Sequence, residues 1–169
     1  MHLYHYTSVA HLRGIHKHGL TVGDVVTNFE KAEGRVAVWL TSSMSPVGHG
    51  LEGSAVDKKA FRLTVDVPED QRLARWSAWA RDNISSDTRR RLIAANGQSA
   101  ASWYLYFGWL PPSRILEVVE TATGDHVVDW GDICPQSESL RGVPYEARFT
   151  WQNRMLRDVR VASQAGCSS

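Results

Sequence analysis

The chain has 169 residues, of which 43% are hydrophobic and 22% charged, and a formal net charge of +1. That length suits one ordinary domain with enough apolar content for a core. Charges of both signs are dispersed, so overall charge recruits neither nucleic acid nor a membrane surface, and a nucleic-acid site must be a local patch.

Leu3, His5 and Thr7 alternate with Tyr4, Tyr6 and Ser8, which predicts a first strand in which His5 and Thr7 share a face. An imidazole and a hydroxyl then point together toward the wall of a pocket. Thr7 or Ser8 is placed to cap a helix that carries Val9, Leu12 and Ile15 on one face and stops at Gly19. His16 and His18 stand two residues apart on that helix, face different sides, and are read as solvated rather than as metal ligands.

Thr21 to Glu33 reads as a polar connection, and Gly34 opens a second strand, Arg35 to Thr41, with Trp39 and Thr41 on one face. The Gly-rich stretch Pro46 to Gly53, containing His49, reads as a short helix or a mobile loop. Phe61, Leu63, Val65 and Val67 alternate with Arg62, Thr64 and Asp66 in a half-buried strand that Pro68 ends. Arg72 to Ala80 is expected to be helical. A second helix, Asp87 to Ala95, is capped by Ser85 or Ser86 and ended by Asn96-Gly97.

Trp103, Tyr104, Tyr106, Phe107 and Trp109 form an aromatic run. If it is extended, Tyr104 and Tyr106 share a face and leave Trp103 and Trp109 to the other. Pro111-Pro112 breaks the run, Arg114 to Glu120 follows as an apolar strand, and Thr123-Gly124-Asp125 turns into His126 to Trp130. Residues 131–169 lack periodicity and are read as an irregular extension of a 1–130 core within one domain, ending in a frayed tail, Gly166-Cys167-Ser168-Ser169. The class is α+β, and no GxGxxG or Walker segment supports a dinucleotide or P-loop site.

Cys134 and Cys167 are too few and too far apart for a disulfide framework or a thiolate zinc site. With no signal-like start and no run of membrane-spanning length, a cytoplasmic protein without a membrane partner is expected. Nothing calls for an obligate protein partner.

The opening LYHYTS followed by HLRGIHKHGL, the strand VAVWLTSSMSP and the segment LPPSRILEVVE, in that order, resemble the ADP-ribosyltransferase fold. The likeness is nearest to its DarT-like branch of DNA-modifying toxins and looser to the rifamycin ADP-ribosyltransferases. It implies split, mostly antiparallel sheets with helices packed around them. By the resemblance, His5 holds a ribose, and Trp39 or a neighbouring ring such as Tyr6 stacks on the leaving base. Two family features are absent. Ser42 and Ser43 stand where an arginine clamps the NAD phosphates, and Ala101-Ser102-Trp103-Tyr104 stands where a catalytic glutamate is expected. A serine neither steadies a ribosyl cation nor deprotonates a nucleophile as a carboxylate does. Asp66, Glu69 or Asp70 could substitute, as in the rifamycin branch, which places its acid elsewhere; Glu117 and Glu120 are further carboxylates in reach.

Both the resemblance and its gaps concern cleavage of an N-glycosidic bond. The expectation is a DNA glycosylase that removes a modified base, such as glucosylated hydroxymethylcytosine, from phage DNA without a cofactor, as in related anti-phage enzymes. Its alternatives are NAD-dependent ADP-ribosylation of DNA or a small molecule, and a non-catalytic nucleic-acid-binding module. The expected site comprises His5, Asp66 and Asp70 for catalysis and Tyr6, Thr7, Trp39, Thr41, Ser43, Ser102, Trp103 and Tyr104 for substrate. Arg89, Arg90 and Arg91 are the expected phosphate contacts. A second basic cluster runs through Arg141, Arg148, Arg154, Arg157 and Arg160.

Overall fold

Alternation decides the centre of the molecule. In β5 (Phe61–Asp66) Phe61, Leu63 and Val65 are buried, while Arg62, Thr64 and Asp66 are half-buried on the other face. β1 (His2–Thr7) pairs antiparallel with β5 along its length, from His2↔Asp66 to Thr7↔Phe61. The computed structural model describes residues 1–49, 51 and 54–166. Part of the Gly-rich loop, Gly50, Glu52 and Gly53, and the expected frayed tail from Cys167 on lie outside the described residues.

The remaining strands are β2 (Asp24–Asn28), β3 (Glu33–Val36), β4 (Val38–Thr41), β6 (Leu73–Arg75), β7 (Trp103–Tyr106) and β8 (Ile115–Glu120). The helices are α1 (Val9–His18), α2 (Trp76–Asn83), α3 (Ser86–Asn96) and α4 (Arg148–Gly166). The fold is α+β. β2 and β3 form a hairpin, and the other six strands form an antiparallel sheet in the order β6-β7-β4-β1-β5-β8. Among the described residues the two three-stranded halves of this sheet are joined by one registered pair, Tyr4↔Thr41.

Each face carries a core. Leu3, Val38, Leu40, Leu63, Val65 and Val118 meet Leu12 of α1 and Leu20 and Leu110 on one side. Trp103 and Leu105 meet Val25, Trp76, Ala80 and Ile84 on the other. Each fully buried leucine contributes about 1.5–3 kcal/mol relative to exposure.

α1 ends at Gly19 as expected, with φ of 76°. Its buried face, however, is Ala10, Leu12 and Gly14, because at Gly14 the helix lies against Gly142 so closely that a Cβ would stand 2.6 Å from the Gly142 Cα. Ser8 is the N-cap residue, but its hydroxyl meets His11 Nδ1 at 2.8 Å and makes no capping bond to the backbone. At α3, Ser85 Oγ accepts the Thr88 N–H at 3.3 Å, as a cap should.

Several expected boundaries move. The polar connection at 21–33 contains β2, whose Val25 is fully buried beneath the second core. The expected strand 35–41 is broken at Ala37, whose N–H turns aside to the Gly23 carbonyl at 3.1 Å. The expected helix at 72 begins at Trp76, because residues 73–75 add β6 to the sheet edge. His126 to Trp130 makes one bridge, Val119↔His126, rather than a strand. Residues 131–166 are not irregular throughout: α4 supplies a 19-residue helix. Its apolar stripe is weak because Phe149 and Val161 face solvent while Met155 does the packing. No described helix is long and apolar enough to cross a membrane.

Candidate functional site

The register across the sheet sorts the chemistry-bearing side chains by face. Tyr4↔Thr41 and Thr41↔Trp103 put Tyr4, Tyr6, Trp39, Thr41 and Trp103 on the side of the second core. His5, Thr7 and Tyr104 belong to the opposite side, Tyr104 through its pairing with Leu40. The expected site is thus divided. Thr7 is buried, and Tyr104 lies under the Arg75 guanidinium at 5.9 Å from its ring centre.

The loop after β4 brings in a ring that no pattern in the sequence singled out. Thr41, Ser43 and Ser45 each accept the backbone N–H two residues on, at 3.0, 3.2 and 3.3 Å. These hydroxyl turns walk the chain to His49. His49 stacks on Tyr6, with ring centres 5.6 Å apart and planes at 22°. Its Nδ1 accepts the Trp103 indole N–H at 3.0 Å, and its Nε2–H donates to the Ser45 carbonyl at 2.8 Å. Those two bonds require the neutral Nε2–H tautomer. Trp103 in turn meets Trp39 edge-on at 5.7 Å and Trp76 at 5.2 Å.

Hydroxyls lock the floor of this cluster. Thr41 Oγ1 donates to Ser102 Oγ at 3.0 Å, and the Ser42 N–H donates to the Ser102 carbonyl at 2.9 Å. The Tyr6 hydroxyl donates to the Ser43 carbonyl at 3.4 Å, and burial raises its pKa.

His5 stands where the two halves of the sheet part. Its Nδ1–H donates to the Trp39 carbonyl at 2.9 Å, which leaves the lone pair on Nε2. Burial pushes its pKa down to about 4; the Trp39 bond opposes this, and His11 and Lys58 add to it. At neutral pH His5 is an uncharged hydrogen-bond acceptor.

Arg62 completes the face and was not anticipated. It sits opposite Tyr6 in the β1–β5 register, with its guanidinium 5.3 Å from the Tyr4 ring centre. Its Nε is buried without a hydrogen-bond partner, and among the described residues no carboxylate forms an ion pair with it. The signal was its polar position in β5 directly across from Tyr6, legible only once the strand pairing is known.

The carboxylates lie elsewhere. Asp66 pairs with His2, three residues along β5 from Leu63, the partner of His5, a separation of about 10 Å. It is held by Arg114 at 2.5 Å. Asp70 is exposed, its pKa lowered by Arg72, and it accepts the Tyr106 hydroxyl at 3.4 Å. Neither is brought to His5. The Glu117 carboxylate accepts the Thr64 hydroxyl at 2.8 Å and faces His126 Nδ1 at 3.1 Å. On α3, Asp87 engages Arg91 at 2.7 Å and Arg90 at 3.8 Å, which offsets one of the three charges expected to bind phosphate.

The arrangement puts the ring cluster and the Arg62 guanidinium on one face of the sheet, with Tyr6 and Trp103 buried and Trp39 and His49 half-buried, and a neutral acceptor, His5, on the other face at the seam between the two half-sheets. No protein-family model matches the chain, and no curated protein matches it.

Proposed function

We propose that this protein cleaves an N-glycosidic bond in DNA, excising a modified base such as glucosylated hydroxymethylcytosine from phage DNA in the bacterial cytoplasm and leaving an abasic site. The observation that carries the proposal is the contact of Tyr6, His49 and Trp103 on one face of the sheet, with a neutral His5 next to Tyr6 in β1 at the seam and turned to the other face, and with no carboxylate among the described side chains of that ring cluster. A base extruded from the helix stacks on the half-buried rings of this cluster, Trp39 and His49, each stack contributing about 1–3 kcal/mol. The C1′–N bond breaks with its electron pair leaving on the base, which takes up a proton. Water adds its oxygen to C1′ and gives up a proton. His5 Nε2 accepts a hydrogen bond from that water or from a sugar hydroxyl, and Arg62 meets the phosphate of the extruded nucleotide.

A second reading, NAD-dependent ADP-ribosylation, is favoured by one feature. An acceptor-only His5 Nε2 at the junction of two half-sheets suits a ribose hydroxyl, as the ADP-ribosyltransferase resemblance implies. NAD would be held by His5, by Arg62 at its phosphates and by the half-buried Trp39 and His49 rings; when bound it supplies an activated glycosidic bond.

The deciding experiment incubates the protein with unmodified and glucosylated phage DNA, with and without NAD. Abasic sites formed in modified DNA without NAD are expected. Adducts that require NAD would establish the second reading instead, and inertness in all arms would overturn both in favour of a binding module.

A further inference from the structure

Two helices carry arginine clusters, and they differ in how far their charge is neutralised. On α3, Asp87 engages Arg90 and Arg91. α4 carries Arg148, Arg154, Arg157 and Arg160 against Asp158 alone. Met155 is buried, and its terminal methyl and a Leu156 methyl approach Gly34 of β3, so the inward side of α4 is set. Arg154, Arg157 and Arg160 consequently lie exposed. Among the described residues none of these three forms an ion pair with a carboxylate.

Rings accompany this charge. The Arg154 guanidinium lies 4.2 Å from the Trp151 ring centre, and Arg148 lies 5.3 Å from that of Tyr145, which stacks on Trp109. Phe149 is 72% exposed and lines a groove of about 390 Å³ with Arg35, Arg148, Gln152 and Phe107. The groove end of α4 is tied to the ring cluster through one residue: Asp24 accepts the Trp151 indole N–H on its carboxylate at 2.7 Å and the Trp39 indole N–H on its carbonyl at 2.9 Å.

We propose that the outer face of α4, with the adjoining Arg35–Phe149 groove, is the surface on which a nucleic-acid strand docks, leading from the ring cluster along the helix. This rests on the proposed action on DNA and moves the phosphate contacts from α3 to α4. Arg148 itself donates to the Thr21 and Val36 carbonyls at 2.7 and 3.3 Å, so the docking face runs from Phe149 to Arg160, about 16 Å along the helix, which matches about five steps of one strand at about 3.4 Å each. Unneutralised guanidinium groups bind phosphates, and exposed rings stack bases, a combination that favours a nucleic acid over an anionic bilayer.

The test is a fluorescence-anisotropy titration with a labelled, unmodified oligonucleotide, single-stranded and duplex, at several salt concentrations. Unmodified DNA keeps the measurement independent of turnover: the docking surface survives if base excision fails, and excision survives if the surface fails. R154Q/R157Q/R160Q is expected to weaken binding at least about tenfold at low salt, to lower the slope of log K against log salt by about 2 to 3, and to leave the melting temperature within a few degrees. R89Q/R90Q serves as the control and is expected to bind as wild type. The inference is overturned if wild type does not bind the oligonucleotide at low salt, if the triple variant binds as wild type, or if the control carries the loss. It is also overturned if phosphatidylserine vesicles are bound more tightly than the oligonucleotide and that binding is what the triple variant loses.

Discussion

His5 donates its Nδ1–H to the carbonyl of Trp39 at 2.9 Å, across the gap where the pairing of β1 and β4 has run out beyond Tyr4↔Thr41. The bond fixes the tautomer, ties the two halves of the sheet and aims Nε2 away from the strand it bridges. A half-buried imidazole whose pKa is pushed down to about 4 by desolvation is neutral throughout the physiological range.

Stability should therefore depend on pH through His5. Its folded pKa of about 4 lies below the ordinary 6.5, so the unfolded chain binds the proton first. The stability is fully present above about pH 6.5 and falls as pH drops toward 4, by a total on the order of 3 kcal/mol from this group. Urea titrations of wild type and His5→Gln between pH 7.5 and 4.5 should show a shallower pH dependence in the variant. Parallel curves would exclude His5 as the source. Excision by His5→Gln should fall about a hundredfold.

Trp103 contributes both a ring and a donor. Trp103→Phe keeps most of the ring but leaves His49 Nδ1 without its indole partner, at a cost of about 1 kcal/mol. KM for modified DNA should rise severalfold. Trp103→Ala removes a side chain that is only 5% exposed and should destabilise by about 3–5 kcal/mol in thermal melts. A phenylalanine variant with unchanged KM would show that the His49 contact does not shape the pocket.

Arg62→Gln should raise KM about tenfold with kcat within about threefold, because a phosphate contact is made in the ground state and the transition state alike. Arg62→Lys should recover only part of this, since a lysine keeps the charge but loses the flat stack on Tyr4. A fall in melting temperature with KM unchanged would reduce Arg62 to a structural clamp.

Asp66 and Asp70 are engaged by Arg114 and Arg72 at the far end of the strand. Asp66→Asn and Asp70→Asn should each leave turnover within about twofold, as expected for exposed ion pairs away from the chemistry. A hundredfold loss of kcat in either variant would return that carboxylate to the catalytic machinery.

Local pattern was enough for β5, whose alternation reads directly as one buried and one half-buried face, and for the end of α1 at Gly19, where φ is positive. It also sorted Tyr104 and Tyr106 from Trp103, because side chains on a strand alternate whatever the strand pairs with. It missed β2 and α4, where a short strand and a weak apolar stripe are stabilised by distant contacts such as Met155 on Gly34. The site is of that second kind. His49 reaches Trp103 across 54 positions, and Arg62 faces Tyr6 only through the β1–β5 register. Periodicity specifies which way a side chain points from its own strand. Which strands become neighbours depends on burial summed over the whole chain, and that summation placed the rings together, kept Asp66 and Asp70 from His5, and left Arg154, Arg157 and Arg160 of α4 without an ion pair among the described residues.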